Sequence, residues 1–82
     1  TLALEGAPHN ILVNILSPGV VDTPIHSFFG KEDPESQQIK MHLSKAHPLE
    51  RLGTVREIAE ALYFLTSDLS SWTTGANLTV DG

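Results

Sequence analysis

The longest apolar run of the chain predicts a buried strand. It extends from Ile11 to Leu16, is rich in branched residues and stops at Ser17-Pro18-Gly19. A run of this kind, bounded by a turn signal, is typical of a strand buried on both faces of a parallel sheet. Asn14 interrupts the run. Because a buried amide must be hydrogen-bonded, we expect Asn14 to tie down a neighbouring loop or strand.

The clearest helix pattern lies in residues 54–68. Thr54 and Glu57 have the spacing of a capping box, in which each side chain accepts a hydrogen bond from the backbone amide of the other residue. Arg56 and Glu60 are spaced for an ion pair on the outer face of this helix. The apolar residues that recur at helical spacing are Val55, Ile58, Ala59, Leu62 and Leu65.

A second, shorter strand is predicted near the end of the printed sequence. Leu78 and Val80 alternate with polar residues in the stretch from Ala76 to Val80. A strand, a crossover and a second strand in this order imply a right-handed parallel βαβ unit. The predicted fold class is therefore α/β, with the order helix end, strand, long excursion, helix and strand.

The first residues have the features of a helix end. We expect Gly6 to take a left-handed conformation after Thr1–Glu5, and Pro8 to prevent the helix from continuing. No start signal precedes these residues, and the first residue is Thr rather than Met. We therefore favour a helix that begins outside this chain over a frayed tail.

The segment from Ile25 to His47 has a weak pattern. Thr23 and Pro24 resemble a helix start, and residues 36–46 are loosely amphipathic. Two interpretations remain open for this segment. It is either a lid whose apolar side covers a small ligand, or a surface excursion whose two phenylalanines pack on the core.

Charge and composition argue against several classes of partner. Five Lys and Arg residues against ten Asp and Glu residues give a formal net charge of −5. This balance disfavours nucleic acid or an anionic membrane as the main partner, because both attract a basic surface. The sequence has no cysteine, no apolar run of transmembrane length and no signal-peptide pattern at its start. We expect a soluble, cytoplasmic protein.

Few side chains are spaced for chemistry of their own. His42 and His47 are five residues apart, so a helix would turn them away from each other, and Asp22 with His26 supplies only two ligands. We expect no metal site. The sequence also lacks a glycine-rich dinucleotide motif, a nucleophile elbow and a Ser-His-Asp arrangement. We therefore assign no catalytic residue in this chain.

Short motifs spread along the whole chain occur together in one known family. They are Leu2-Ala3-Leu4-Glu5 with Ala7-Pro8; Ile11, Val13, Asn14 and Ser17-Pro18-Gly19; Pro48, Arg51, Gly53, Glu57, Ile58, Ala59, Phe64, Leu65, Ser67 and Asp68; Thr74-Gly75; and Val80-Asp81-Gly82. On these residues the chain resembles the C-terminal part of a short-chain dehydrogenase/reductase. The resemblance covers essentially all 82 residues.

The resemblance implies that residues 1–82 are the C-terminal portion of one Rossmann-type, doubly wound parallel-sheet domain. Its parts are a helix end and turn (1–9), a strand with a nicotinamide loop (10–24), a substrate lid (25–53), a helix (54–68), and a turn with the last strand (69–82). The implied cofactor contacts are Pro18, Gly19, Val21 and Thr23, with the Val21 backbone and the Thr23 hydroxyl on the carboxamide. The implied apolar lid residues are Ile25, Phe28, Phe29, Met41 and Leu43.

The same resemblance implies an oxidoreductase that transfers a hydride between NAD or NADP and an alcohol or carbonyl substrate. The catalytic Ser, Tyr and Lys of the family have no counterpart in this chain, so we predict that the chain alone is inactive. Further implied partners are the remainder of the fold and identical subunits, in a tetramer built through helix 54–67 and strand 76–80. The alternative is a non-catalytic, truncated relative that acts by association, docking through the apolar stripe of residues 55–65.

Overall fold

The computed structural model describes all 82 residues, and two short parallel strands organise it. Strand β1 (Ile15–Pro18) pairs with β2 (Asn77–Val80), with Ile15 opposite Asn77 and Pro18 opposite Val80. Three α-helices accompany the strands: α1 (Leu2–Gly6), α2 (Pro34–Lys45) and α3 (Val55–Thr66). Short 3₁₀ turns follow α1 at Ala7–His9 and α3 at Asp68–Ser70. The parallel strand-crossover-strand arrangement predicted from the sequence is confirmed.

Strand β1 begins later than the apolar run suggested. The prediction placed the strand at Ile11–Leu16, whereas pairing starts at Ile15, because the partner strand itself starts only at Asn77. Burial on both faces is also wrong for this chain: the Ile15 side chain is 59% exposed, since a two-stranded sheet covers little of either face.

The residues ahead of β1 are held by the turn before β2 instead of by a strand. The Val13 amide donates to the Thr74 hydroxyl at 3.1 Å, and the Gly75 amide donates to the Val13 carbonyl at 2.8 Å. Asn14 completes this junction: its Nδ2 donates to the Thr73 carbonyl at 2.9 Å, and its Oδ1 accepts from the Ala76 amide at 3.0 Å. The prediction that the Asn14 amide ties down a neighbouring loop is confirmed.

The capping box of α3 is present as predicted. The Thr54 hydroxyl accepts from the Glu57 amide at 3.2 Å, and the Glu57 carboxylate accepts from the Thr54 amide at 3.0 Å. The predicted Arg56–Glu60 ion pair forms at 2.9 Å. Helix α3 packs against β1. The residues that directly precede α3 therefore lie beside the end of β1.

Helix α2 occupies most of the weakly patterned segment. It begins two residues before the predicted stretch 36–46, because Asp33 acts as its N-cap and Pro34 fills its first position. The Asp33 carboxylate accepts from the Ser36 amide at 3.0 Å, and this hydrogen bond lowers the pKa of Asp33.

Two local predictions are wrong. Gly6 has a right-handed φ of −78°, and the chain continues into the 3₁₀ turn; Asn10, with φ of 59°, takes the left-handed conformation instead. The α-helix does stop ahead of Pro8, as expected: α1 ends at Gly6, and Pro8 lies in the first turn of the 3₁₀ helix, where its missing amide breaks no bond. No helix starts at Thr23-Pro24, where the chain forms consecutive turns.

The chain is elongated and buries little of itself. It measures 54 × 18 × 18 Å, and its radius of gyration is 16.5 Å, against about 12 Å for a compact domain of this length. Its accessible surface is 6261 Å², whereas a compact monomer of this mass exposes about 4,800 Å². The buried residues are Phe28, Ser36, Leu52 and Ser70. The apolar faces of the strands and helices are thus left uncovered within this chain.

Candidate functional site

A cleft of about 260 Å³ opens at the carboxyl ends of β1 and β2. This edge is where open α/β sheets bind their ligands. Three segments meet there: the loop after β1, the residues ahead of α3, and the residues after β2. The lining includes Gly19, Val20, Val21, His47, Arg51, Gly53, Glu57, Asp81 and Gly82.

Gly19 allows these segments to approach one another closely. A Cβ atom added at Gly19 would lie 3.0 Å from the Asp81 Cα and 3.0 Å from the His47 Nε2. Both distances are shorter than ordinary van der Waals contact, and one of the two atoms belongs to the backbone. The predicted cofactor position Gly19 is therefore a point of close contact between β1, β2 and the segment that contains His47.

Gly53 fixes the peptide planes on either side of Val21. The Gly53 amide donates to the Val20 carbonyl at 3.0 Å, and the Asp22 amide donates to the Gly53 carbonyl at 3.0 Å. A trans peptide directs its N–H and C=O to opposite sides. The Val21 N–H and C=O therefore point away from Gly53, and neither forms a hydrogen bond within the chain.

Val21 thus presents one donor and one acceptor side by side. A primary amide carries the complementary pair, an acceptor C=O and a donor NH₂. The carboxamide of a nicotinamide ring is such a group. The arrangement at Val21 therefore fits the cofactor group that the resemblance implied for this position.

Thr23 lies beyond the cleft lining, with its hydroxyl free of hydrogen bonds within the chain. Because no helix begins at Pro24, the Thr23 side chain caps nothing; its carbonyl accepts from the His26 amide at 3.1 Å. Pro18, the last residue of β1, is exposed and also lies outside the lining. Of the four predicted cofactor residues, the cleft brings together Gly19 and Val21.

The five predicted lid residues do not line the cleft. Phe28 is only 3% exposed and stacks on the His26 ring with a centroid distance of 5.0 Å, whereas Ile25 is 86% exposed. Phe29 and Met41 are exposed and Leu43 is half-buried. The sequence suggested that the two phenylalanines would act together, but Phe28 is buried and Phe29 is exposed.

The segment 25–53 is nevertheless attached to the loop after β1. Lys40 on α2 forms an ion pair of 3.3 Å with Asp22. His47 accepts a hydrogen bond from the Val20 amide at its Nε2, at 3.2 Å, and its Nδ1 lies 2.8 Å from the Leu43 carbonyl. Sequence reasoning considered His47 only as a metal ligand. No local signal identifies its contact, because Val20 lies 27 residues away.

Arg51 and Glu57 form the charged wall of the cleft. Two Arg51 nitrogens donate to the two Glu57 carboxylate oxygens, each at 2.8 Å. These bonds, together with those from Thr54, lower the pKa of Glu57 to about 2, and the pairing raises the pKa of Arg51. The two charges of this wall neutralise each other, and the ion pair joins Arg51, which precedes α3, to Glu57 in the first turn of the helix.

Comparison with known proteins decides the family. The family model described as enoyl-(acyl carrier protein) reductase matches residues 1–82, the whole chain. The chain belongs to the short-chain dehydrogenase/reductase family. It is 43% identical over 82 residues to the 3-oxoacyl-(acyl-carrier-protein) reductase of Buchnera aphidicola subsp. Schizaphis graminum. The match covers 100% of this chain and 31% of that reductase.

Solved structures of short-chain dehydrogenases/reductases share this fold. The chain superposes with a TM-score of 0.74 on a 3-oxoacyl-(acyl-carrier protein) reductase with bound NAD from Brucella melitensis, at 36% identity, over 99% of this chain and 26% of that one. For the promiscuous reductase LugOII of lugdunomycin biosynthesis the TM-score is 0.85 at 27% identity, over 99% and 30%. The chain thus spans less than a third of the length of these relatives. The predicted α/β fold class, part of a Rossmann-type sheet, is confirmed.

Two further features of the 82 residues concern other classes of site. None of the helices combines the length and the apolar character that crossing a bilayer requires. No three His, Asp or Glu side chains come together in a way that could hold a metal ion.

Proposed function

We propose that this chain supplies the nicotinamide-binding loop and the substrate lid of an NAD(P)-dependent oxidoreductase. The observation that carries this proposal is the unpaired N–H and C=O of Val21 at the carboxyl edge of the sheet. The family match over all 82 residues and the bound NAD of the Brucella relative support it. The substrate class is an alcohol or a carbonyl compound.

In this proposal Val21 binds the carboxamide of NAD or NADP through both of its free backbone groups. The Thr23 hydroxyl provides a further hydrogen bond, and Pro18 and Gly19 form the turn beside the ring. When bound, the nicotinamide supplies or accepts the hydride. The residues of this chain bind and orient the ring and exclude water from it. Gly19 contributes by letting Asp81 and His47 come close to the loop, since a Cβ there would lie 3.0 Å from the Asp81 Cα and from the His47 Nε2.

The proton-transferring residues belong to the rest of the domain in this proposal. The family's catalytic Ser, Tyr and Lys have no counterpart among the motifs of this chain. Segment 25–53 closes over the substrate, and α2 is its rigid part. The ion pair of Lys40 with Asp22 supports this role, because it connects α2 to the loop that binds the cofactor.

Helix α3 and strand β2 are proposed as the subunit interfaces of a homotetramer in the cytoplasm. Val55, Leu62 and Phe64 are exposed on α3 although they are apolar. Only β1 pairs with β2, which leaves the other edge of β2 free. Exposed apolar helix faces and free strand edges are the usual material of subunit interfaces.

The direct test is cofactor binding by the complete protein that contains this chain. We expect NADH or NADPH to bind, and Thr23→Val to raise the dissociation constant about fivefold to tenfold, because a hydrogen bond contributes about 1 kcal/mol. Thr23→Ser keeps the hydroxyl and should bind like the wild type. Thr66→Val is the matched control, since its hydroxyl bonds only within α3, to the Leu62 carbonyl. Absence of binding to both dinucleotides in the wild type would overturn the proposal.

A second candidate function is association without catalysis, in which the chain acts as a truncated subunit. The exposed apolar side chains of α3, Val55, Leu62 and Phe64, favour it, because an uncovered apolar patch promotes docking on a relative. Mixing the 82-residue chain with a full-length relative on a sizing column tests it. Co-elution that Leu62→Ser abolishes would support this function, and separate elution would contradict it.

A further inference from the structure

The loop after β1 is held by a series of hydrogen bonds, one for each peptide plane. The Gly19 amide donates to the Val80 carbonyl of β2 at 3.1 Å, which fixes the first plane. Gly53 fixes the two planes on either side of Val21. The plane between Gly19 and Val20 is different, because its amide donates to a side chain, the Nε2 of His47, at 3.2 Å.

The second nitrogen of His47 determines the state of this ring. The Nδ1 lies 2.8 Å from the Leu43 carbonyl, which can only accept a hydrogen bond, so Nδ1 must carry the proton. The Val20 amide can only donate, so Nε2 must be unprotonated. Together the two contacts require the neutral Nδ1–H tautomer. A protonated ring carries hydrogens on both nitrogens and could not accept from Val20.

His47 also connects two different parts of the proposed site. Leu43 is in the last turn of α2, the rigid part of the proposed lid, and Val20 directly precedes Val21, the proposed nicotinamide contact. Gly19 leaves room for the ring, since a Cβ there would lie 3.0 Å from Nε2. The imidazole therefore transmits the position of α2 to the backbone of the loop.

We infer that His47 is a positioning residue that lets the lid helix set the orientation of the cofactor-binding loop. The inference rests on the proposed function, because it takes Val21 as the nicotinamide contact. His47 touches neither cofactor nor substrate in this scheme. It acts through Val20, and its effect on cofactor affinity depends on an acceptor being present at the position of Nε2.

Three variants of His47 in the complete protein separate this role from simple packing. His47→Phe removes both hydrogen bonds but keeps a planar ring. His47→Gln keeps an acceptor that can reach Val20, and His47→Asn keeps a donor near Leu43 only. We expect the dissociation constant for NADH to rise about fivefold to tenfold in the Phe and Asn variants and to stay within about twofold in the Gln variant. His42→Gln, at an exposed position on α2, is the matched control.

Two measurements without cofactor complete the test. Nitrogen-15 spectra of the wild-type ring should show a proton on Nδ1 and none on Nε2. Amide hydrogen exchange at Val20 should be slow in the wild type and in His47→Gln, and fast in His47→Phe and His47→Asn. The ring spectra need no variant, so they decide the point even where His47→Phe fails to fold.

The possible outcomes distinguish the inference from the proposed function. A ring protonated on Nε2, or Phe and Asn variants that bind NADH like the wild type, would overturn the role of His47 while the proposed function stands. A wild type with the expected tautomer and a protected Val20 amide that binds neither NADH nor NADPH would overturn the proposed function and, with it, the inference.

Discussion

The start of helix α3 depends on hydrogen bonds between nearby residues, whereas the loop after β1 depends on hydrogen bonds to distant residues. The start of α3 is fixed by bonds between residues three apart, Thr54 and Glu57. The loop is fixed by residues far along the chain: Val80 bonds to the Gly19 amide, His47 to the Val20 amide, and Gly53 to the Val20 carbonyl and the Asp22 amide. The capping bonds of the helix therefore join only residues at its own start. The loop takes its shape only when strand, lid segment and last strand are assembled together.

The largest expected effect comes from filling the close contact at Gly19. Gly19→Ala places a methyl group 3.0 Å from the Asp81 backbone and the His47 ring, and overpacking of this kind costs about 1–3 kcal/mol of the free energy of unfolding. Gly53→Ala is the matched control, because its added Cβ has 3.8 Å to the nearest atoms. Urea unfolding of the complete protein measures both. Equal destabilisation by the two variants would contradict the close contact.

The junction ahead of β1 is the next most sensitive point. Asn14→Ala removes both bonds of the amide, leaves the Thr73 carbonyl and the Ala76 amide without partners, and should cost about 2 kcal/mol. Asn77→Ala is a control on the neighbouring strand, since Asn77 bonds only through its exposed side chain to the Ser17 hydroxyl. Urea unfolding in which Asn14→Ala is no worse than Asn77→Ala would argue against the junction.

Removing the N-cap of α3 should lower the free energy of unfolding by a smaller amount, without affecting the loop. Thr54→Ala removes the N-cap, which costs about 1 kcal/mol. Thr54→Ser keeps the oxygen and should behave like the wild type in urea unfolding. Because the cap involves only the first turn, cofactor affinity should be unchanged in Thr54→Ala. A parallel loss of affinity would show that the shape of the loop depends on the cap of α3.

The smallest effect is expected from the charge of Glu57 and depends on pH. The pKa of Glu57 falls from an ordinary value of 4.5 to about 2 in the folded chain. A lowered carboxylate pKa stabilises the fold above the unfolded value, and this stabilisation is lost as pH falls from about 4.5 to about 2.

Glu57→Gln tests this by removing the charge but keeping an acceptor for the Thr54 amide. The melting temperature of the wild type should exceed that of Glu57→Gln by a constant amount above pH 5, and the difference should disappear toward pH 2. Glu60→Gln, in the exposed pair with Arg56, is the control. A difference between wild type and Glu57→Gln that is the same at every pH would exclude the linkage.

The elements that the sequence predicted well are those with local signals. The capping box of α3 and the alternation in β2 depend on neighbours within a few residues. The sequence predicted that the Asn14 amide would be hydrogen-bonded to a neighbouring loop or strand. Leaving a buried amide unpaired costs free energy whichever group would have bonded to it. The same logic could not name Thr73 and Ala76, which lie 59 and 62 residues away.

The predictions that failed concern residues for which two local structures are of similar energy. Gly6 and Asn10 can both take the left-handed conformation, and the 3₁₀ turn moved it to Asn10. Thr23 has the side chain of a cap, but the turns of 23–30 start no helix for it to cap. No sequence signal indicated the two contacts of His47, because both join its ring to backbone groups and one of these is distant in sequence.

The bridge between Val21 and Gly53 has a consequence for how such a protein can change over evolutionary time. It closes the base of residues 22–52, a stretch that His47 and Leu49 also attach to Val20 and Gly82. Doubling the length of a closed loop costs only about 0.6 kcal/mol of closure entropy. Insertions between residues 23 and 39 can therefore lengthen this stretch at little cost, while His47 and Gly53 still hold Val20 and leave the two backbone groups of Val21 free.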